Sequence, residues 1–194
     1  MAEKQRVVRV RIVGGKFRGA SLSAPKSQSI RPTTDRTRES LFNILSHRDD
    51  VDFEGARVID LFAGTGALGF EALSRGATFA LFIDEGAEAR GLIRSNMERL
   101  KQNGNAKVFR RDATKLGNIG TMQPFSVVFI DPPYEKGLGE KALNSLHVGA
   151  WLEDNAFVIF EESTKAEVEI PAFYRKCDQR IYGTSIVRLL QYAR

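Results

Sequence analysis

Residues 57–75 read RVIDLFAGTGALGFEALSR, and this stretch decides the fold. A short apolar run leads into Gly64, Gly66 and Gly69, which have the spacing G-x-G-x-x-G, and a helical pattern follows. Glycine carries no Cβ, so the backbone can turn sharply there and approach a ligand closely. The stretch therefore predicts a strand, a ligand-binding turn and a helix that together open a parallel sheet.

Beyond this glycine loop, short apolar runs alternate with helical stretches. The predicted strands are FALFID, KVFRRD, FSVVFID and FVIFEE, and the predicted helices span 67–75, 86–101 and 137–147. Strands at this spacing are typical of right-handed βαβ units, with helices on both faces of the sheet. The sequence predicts an α/β, Rossmann-like fold with a mostly parallel sheet.

The two ends of the chain do not follow this alternation. Residues 174–192 hold two β-rich runs around a glycine turn, which predicts a C-terminal antiparallel hairpin joined to the sheet. Residues 6–22 alternate polar and apolar side chains around Gly14-Gly15, which predicts a small N-terminal β-hairpin. A helix is predicted to begin at Thr34 or Asp35 and to end near Ser46.

Charge is distributed unevenly along the 194 residues. Residues 1–48 hold 11 Lys/Arg and 3 Asp/Glu, whereas residues 49–194 hold 18 and 21. This difference favours a division into a basic N-terminal extension over 1–48 and a domain over 49–194 that holds the glycine loop. A basic segment on a mildly acidic body suggests a polyanionic partner, although a solvated basic face would look the same.

Composition limits the classes of protein that remain. No apolar run approaches the roughly 20 residues that span a bilayer, and the N-terminal sequence has no signal-peptide pattern. The single cysteine, Cys177, has no intrachain disulfide partner, and with only two histidines no metal-ligand cluster is visible. We therefore expect a cytoplasmic protein without a metal or a membrane partner.

Aspartates follow three predicted strands, at Asp60, Asp84 and Asp112. The glycine loop suits either a dinucleotide such as NAD or S-adenosylmethionine. Asp60 would accept a hydrogen bond from the amino group in the methionine part of S-adenosylmethionine, whereas it would repel the pyrophosphate of a dinucleotide. Asp84 would accept from the ribose hydroxyls of either S-adenosylmethionine or NAD, or else cap a helix. Asp112 would contact the adenine amino group or, equally well, cap the helix that follows.

The tetrapeptide Asp131-Pro132-Pro133-Tyr134 directly follows the apolar run FSVVFI. Two prolines make this strand end rigid and remove backbone donors, while the carbonyls and the aspartate still accept hydrogen bonds. Methylation of a base amino group needs such acceptors, because the lone pair of the amine is delocalised into the ring and the amine is therefore a poor nucleophile. Acceptors on its two N–H groups favour a pyramidal nitrogen whose lone pair points at the methyl group. Tyr134 would stack on a base swung out of its helix or loop. The pattern favours a methyltransferase that uses S-adenosylmethionine.

Two longer stretches carry a family resemblance. The combination of DLFAGTGALGFEALSRGA with FIDPPY resembles the amino-methyltransferases that act on nucleic acids. RIVGGKFRGASLSAPKSQSIRPTTDRTRESLFNIL resembles the opening of the bacterial small-subunit ribosomal RNA guanine-N2 methyltransferases of the RsmD type. The resemblance implies a guanine amine as acceptor and assembled or partly assembled 30S particles as substrate. It also implies that Arg31, Pro32, Thr33 and Arg36 lie near the cofactor and the RNA.

The candidate residues form three sets. The catalytic set is Asp131, Pro132, Pro133 and Tyr134. The set that binds S-adenosylmethionine is Asp60, Phe62, Gly64, Thr65, Gly66, Asp84, Asp112, Ala113 and Thr33. The set that binds RNA is Arg9, Arg11, Lys16, Arg18, Arg31 and Arg36.

Three alternative functions stay open. A DNA adenine-N6 methyltransferase shares the acidic-Pro-Pro-aromatic motif but usually needs a separate target-recognition domain, for which about 50 preceding residues leave little room. A nicotinamide-dependent oxidoreductase shares the glycine loop but leaves residues 131–134 unexplained. A non-catalytic RNA-binding module leaves both motifs without a role.

Overall fold

A computed structural model of the chain describes residues 10–23 and 35–193. The helices of this described part are α1 (Asp35–Leu45), α2 (Ala67–Ser74), α3 (Ala87–Arg99) and α4 (Leu138–Val148), with 3-10 turns at Gly15–Phe17 and Ala113–Lys115. The strands are β1 (Val10–Arg11), β2 (Ser21–Leu22), β3 (Arg57–Leu61), β4 (Phe79–Ile83), β5 (Ala106–Phe109), β6 (Phe125–Ile130), β7 (Leu152–Ser163), β8 (Tyr174–Tyr182) and β9 (Ser185–Tyr192).

Seven of the strands form one sheet in the order β5-β4-β3-β6-β7-β9-β8. Neighbours from β5 to β7 pair in parallel, whereas β9 pairs antiparallel with both β7 and β8. This arrangement confirms the predicted Rossmann-like sheet and its C-terminal hairpin. The chain moves outward in one direction from β3 to β5 and in the other from β6 to β7. Ligands of such sheets bind outside the carboxyl ends of the strands at this switch point, here between β3 and β6.

The predicted N-terminal hairpin is present but short. Val10 pairs with Leu22 and Arg11 with Ser21, so each strand has two residues. The part of the predicted hairpin before Val10 lies outside the described residues. Helix α1 spans Asp35–Leu45, where a helix was predicted, and Thr34, one of its two predicted cap residues, lies outside the described residues.

The helices and strands of the body differ from the predictions mainly at their ends. Gly66 and Gly137 adopt left-handed conformations directly before α2 and α4, which fixes where those helices begin. Strand β7 begins five residues before the predicted run, because Leu152 pairs with Phe125 across an irregularity in β6. Within residues 10–23 and 35–193, no helix is long and apolar enough to span a membrane.

The core lies on both faces of the sheet. On one face the ring of Phe42 in α1 packs 5.7 Å from that of Phe129 in β6, and Phe70 in α2 packs 4.7 Å from Phe82 in β4. On the other face Trp151 is 1% exposed within a second apolar cluster. Helix α1 thus shares the core of the body, and the division of the chain at residue 48 stays a prediction.

Candidate active site

The glycine loop connects the carboxyl end of β3 to α2. Gly64 and Gly66 have φ angles of +54° and +76°, which glycine adopts without strain. Phe62, at the entrance of the loop, has φ +58°, an uncommon conformation for a residue with a side chain. A Cβ on Gly69 would lie 2.4 Å from Cε1 of Phe82, so this glycine lets α2 pack directly on β4.

Asp84, at the carboxyl end of β4, fixes the glycine loop. One oxygen of its carboxylate accepts from the backbone N–H of Gly64 at 2.9 Å, and the other accepts from the N–H of Gly86 at 2.7 Å. The side chain is only half-buried, so a ligand can still reach it. Asp84 therefore joins the loop to the beginning of α3, and its contact with ribose hydroxyls stays a prediction.

Asp60 lies in the interior of the same edge and is 2% exposed. Its Oδ2 accepts from the backbone N–H of Gly69 at 3.0 Å. Burial raises the pKa of the Asp60 carboxyl to about 8, the bond from Gly69 opposes this rise, and the nearby charge of Asp84 adds to it. A cationic group that reached Asp60 would favour its ionised form.

The buried carboxyl predicts a pH dependence of stability. Its pKa in the folded chain lies above the ordinary value of 3.8, so between about pH 4 and 8 the folded chain keeps a proton that the unfolded chain has lost. Asp60 should therefore lower the free energy of unfolding as pH rises through this window, by up to about 1.4 kcal/mol per unit. Asp60→Asn retains an acceptor for Gly69 and should remove this slope in urea denaturation. Equal slopes for the two proteins would contradict the prediction.

Asp112 and Ala113 lie beyond the carboxyl end of β5. The Oδ1 of Asp112 accepts from the backbone N–H of Thr114 at 2.8 Å and from its hydroxyl at 2.7 Å. These bonds lower the pKa of the Asp112 carboxyl, so the side chain caps the 3-10 turn as an anion. Ala113 is 4% exposed. The capping role that the sequence allowed is present, and the contact with adenine stays a prediction.

The tetrapeptide from Asp131 to Tyr134 begins next to the glycine loop. Leu61 of β3 pairs in register with Ile130 of β6, so Phe62 and Asp131 leave neighbouring strands at the same edge. Pro132 is buried, whereas Asp131 and Tyr134 are half-buried. The structure thus brings the predicted catalytic set and the predicted cofactor loop together at the switch point of the sheet.

The candidates for RNA binding are only partly described. Arg9, Arg31 and Thr33, the last a cofactor candidate, lie outside the described residues. Lys16, Arg18 and Arg36 are exposed. The Nε of Arg11 lies 3.1 Å from Oδ2 of Asp35, and the Arg11 side chain is 60% exposed. Among residues 10–23 and 35–193, no group of three or more His, Cys, Asp or Glu is arranged to hold a metal ion.

Comparison with known proteins supplies the family. The model of the family described as Conserved hypothetical protein 95 matches residues 10–191. The Escherichia coli K12 protein named Ribosomal RNA small subunit methyltransferase D is 39% identical over 184 residues, which cover 94% of this chain and 89% of that protein. The chain belongs to this family, the RsmD type that its sequence resembles.

Further RsmD-type relatives agree along nearly the whole chain. The Haemophilus influenzae protein named Ribosomal RNA small subunit methyltransferase D is 33% identical over 184 residues, which cover 94% of this chain and 93% of that protein. The solved structure of the Escherichia coli protein yhhF has a TM-score of 0.81 and 35% identity. It covers 95% of this chain and 98% of that one.

Sequence reasoning missed three side chains that attach the N-terminal segment of this RsmD-type chain to the cofactor loop and to the helices beside it. Asn96 in α3 is fully buried, donates to the carbonyl of Thr65 at 3.1 Å and accepts from the N–H of Ser23 at 2.7 Å. In α2, Glu71 accepts from the N–H of Val13, and Ser74 donates to the carbonyl of Gly14. The signal for these contacts in the sequence was the presence of polar residues on the buried faces of the predicted helices α2 and α3.

Two more residues that the sequence did not indicate contact Tyr134. Its hydroxyl donates to Oε1 of Glu161 in β7 and lies 2.8 Å from Oγ of Ser185 in β9. Burial raises the pKa of the Tyr134 hydroxyl, and the bond to Glu161 raises it further, so the group stays a donor. The sequence signal for the contact with Glu161 was the pair Glu161-Glu162, two acceptors at the end of the apolar run FVIF.

Proposed function

We propose that this RsmD-type protein transfers a methyl group from S-adenosylmethionine to the exocyclic N2 of a guanine in small-subunit ribosomal RNA. The observation that carries the proposal is the pairing of Leu61 with Ile130, which puts the glycine loop beside the tetrapeptide that begins at Asp131. The names of the relatives support small-subunit ribosomal RNA as the substrate. The resemblance to the RsmD type supports guanine N2 as the acceptor.

The residues at the glycine loop fit S-adenosylmethionine. A Cβ at Gly66 would lie 2.8 Å from Phe70 and 3.0 Å from Phe82, so only glycine keeps the backbone in this position. Asp84 would accept from the ribose hydroxyls, and Asp112 would accept from the adenine amino group. Phe62, Thr65 and Ala113 are the other cofactor candidates at the carboxyl edge of the sheet. Asp60 is buried beside the loop. When bound, S-adenosylmethionine supplies an electrophilic methyl group.

The tetrapeptide would hold and orient the acceptor amine. The carboxylate of Asp131 and the carbonyl of Pro132 would accept hydrogen bonds from the two N–H groups of the guanine amine. Two acceptors in fixed positions favour a pyramidal nitrogen whose lone pair points toward the glycine loop. Tyr134 would stack on the extruded base and hold it in the site. Pro132 and Pro133 make the loop rigid, so these groups are in position before the RNA binds.

Basic residues near the N-terminus would contact the RNA backbone. Arg11, Lys16, Arg18 and Arg36 are exposed and belong to residues 1–48, where basic residues outnumber acidic ones by 11 to 3, whereas acidic residues outnumber basic ones in the rest of the chain. Phosphate contacts fix the position of a protein on nucleic acid, whereas contacts to the bases select the sequence. We therefore expect these residues to set affinity for RNA, and the pocket around Asp131 to select the base.

The proposal is tested by methyl transfer in vitro. The protein is incubated with methyl-labelled S-adenosylmethionine and, in separate reactions, with small ribosomal subunits, protein-free small-subunit RNA or duplex DNA. Label should appear in N2-methylguanosine from the ribosomal substrates, and the first two reactions show whether assembly is needed. Label in N6-methyladenine from DNA would contradict the proposal and favour the DNA methyltransferase.

Cofactor affinity should depend on the loop and on the acid that fixes it. We expect Asp84→Ala to weaken binding of S-adenosylmethionine by about 1–3 kcal/mol, because its bonds to the ligand and to the N–H of Gly64 are both lost. Gly66→Val should abolish binding, because the side chain meets Phe70 and Phe82 in a left-handed conformation. Calorimetry measures both effects, with exposed Glu98→Ala as a control. Unchanged affinity in folded variants would refute the cofactor site.

A further inference from the structure

The loop that follows β6 rests on polar side chains at the ends of β7 and β9. Tyr134 bonds to Glu161 and Ser185, as described above. The next residue, Glu135, donates its backbone N–H to Oε1 of Glu162 at 3.1 Å, and its Oε1 accepts from the hydroxyl of Ser163 at 3.1 Å. We call Glu161, Glu162, Ser163 and Ser185 the strand-end cradle.

The strand-end cradle is buried although all four of its side chains are polar. Glu161 is 8% exposed, Glu162 1%, Ser163 4% and Ser185 8%. Ser163 and Ser185 pair across β7 and β9, so the two strands present the cradle as one unit. A buried carboxylate is unfavourable unless donors satisfy it, and the hydroxyl of Tyr134 is such a donor for Glu161. The contact is therefore costly to break.

These contacts fix Tyr134 at both ends. Its backbone follows Pro132 and Pro133, whose φ angles are restricted by their rings. Its hydroxyl is held by a hydrogen bond to a carboxylate, which is stronger than a bond between neutral groups. A ring restrained at its Cα and at its Oη has little freedom to rotate, so one orientation of the ring is prepared before any base arrives. A phenylalanine at this position would keep the ring and lose this restraint.

We infer that Glu161 and Ser185 are positioning residues that fix the ring of Tyr134 in the orientation in which it stacks on the extruded base. The inference rests on the proposed function and goes beyond it, because it gives the tyrosine hydroxyl a role in methyl transfer in addition to that of the aromatic ring. Neither residue needs to touch the substrate or the cofactor. Their effect on methyl transfer passes through Tyr134.

The test compares variants of the contact in the full-length protein. Kcat and KM for small ribosomal subunits are measured for the wild type, Tyr134→Phe, Glu161→Ala, Glu161→Gln and the double variant Tyr134→Phe/Glu161→Ala. We expect Tyr134→Phe and Glu161→Ala each to lower kcat/KM by about tenfold, mainly by raising KM, because an unrestrained ring holds the base less well. Glu161→Gln retains an acceptor and should recover most of the loss. The double variant should be no worse than either single variant.

Two controls separate positioning from a general loss of stability. Tyr174→Phe removes another buried tyrosine hydroxyl bond, to the carbonyl of Leu143 at 2.9 Å, away from the loop that follows β6. It should lower stability without changing kcat/KM. Affinity for S-adenosylmethionine, measured by calorimetry, should change less than about twofold in every variant. If Glu161→Ala does not fold, Tyr134→Phe and Glu161→Gln decide the question.

The outcomes distinguish this inference from the proposed function. If the wild type transfers no methyl group to ribosomal RNA, the proposed function is wrong. If the wild type is active and Tyr134→Phe keeps its kcat/KM, the hydroxyl has no positioning role and the inference is wrong. The inference also fails if the losses of Tyr134→Phe and Glu161→Ala multiply in the double variant, because the two residues would then act independently.

Discussion

Asp131→Ala should lose about 100-fold or more in kcat while its affinity for S-adenosylmethionine stays within a few fold of the wild type. The carboxylate of Asp131 is expected to hold an N–H of the acceptor amine, and this bond strengthens as the nitrogen becomes tetrahedral. Loss of an interaction that is made mainly in the transition state lowers kcat. Asp131 does not belong to the glycine loop, so cofactor binding should continue without it.

Single-turnover methylation of small ribosomal subunits measures this loss, and calorimetry measures the cofactor affinity of the same preparations. Asp131→Asn keeps one acceptor oxygen and should lose less than Asp131→Ala. The control is Asp154→Ala, which removes an exposed carboxylate near the beginning of β7, before the residues that pair with the core of β6. A wild-type rate for Asp131→Ala would refute the mechanism in which residues 131–134 hold the amine.

The sequence predicted most of the elements because their signals are local. Glycines at the spacing of Gly64, Gly66 and Gly69 after an apolar run indicate a strand, a turn and a helix, and these lie where predicted. The order of strands is not a local property. Packing of the whole sheet puts β6 beside β3. This pairing brings Asp131 to the glycine loop.

The contacts around Tyr134 show what periodicity does not reveal. Glu161 and Ser185 are 27 and 51 residues away along the chain, and they meet the tyrosine because the last residues of β7 pair antiparallel with the first residues of β9. Asn96 is similar, since its two partners are Ser23 and Thr65. The sequence indicated that an aromatic ring would follow the prolines, whereas the partners that orient the ring required three-dimensional structure.

The bonds from α2 and α3 also connect the two predicted parts of the chain. Backbone groups of Val13, Gly14 and Ser23 bind side chains on the helices next to the glycine loop. A segment that contacts RNA would thus be attached directly to the elements that hold the cofactor. This arrangement gives a physical reason for residues 10–23 of the basic extension to pack against α2 and α3.

Loss of the protein should remove one N2-methylguanosine completely from small-subunit ribosomal RNA. We expect nucleoside mass spectrometry of RNA from cells that lack the protein to find this nucleoside missing at one position, and expression of the wild-type chain to restore it. Asp131→Ala, which should bind the cofactor without transferring the methyl group, should not restore it. Comparison of the strain that expresses the wild-type chain with the strain that expresses Asp131→Ala separates methyl transfer from any other effect of the protein on ribosome assembly.

Replacing the acceptor guanine with adenine should abolish transfer to that position, because adenine has no amino group at C2 and the acceptors at Asp131 and Pro132 would have no donor to hold. The phosphate contacts are unchanged by this substitution, so binding to the RNA should persist with the same dependence on salt. Transfer to the substituted site at the wild-type rate would show that the pocket does not select guanine. If all N2-methylguanosine persists in cells without the protein while a methyladenine disappears from their DNA, the substrate is DNA and the assignment to ribosomal RNA is wrong.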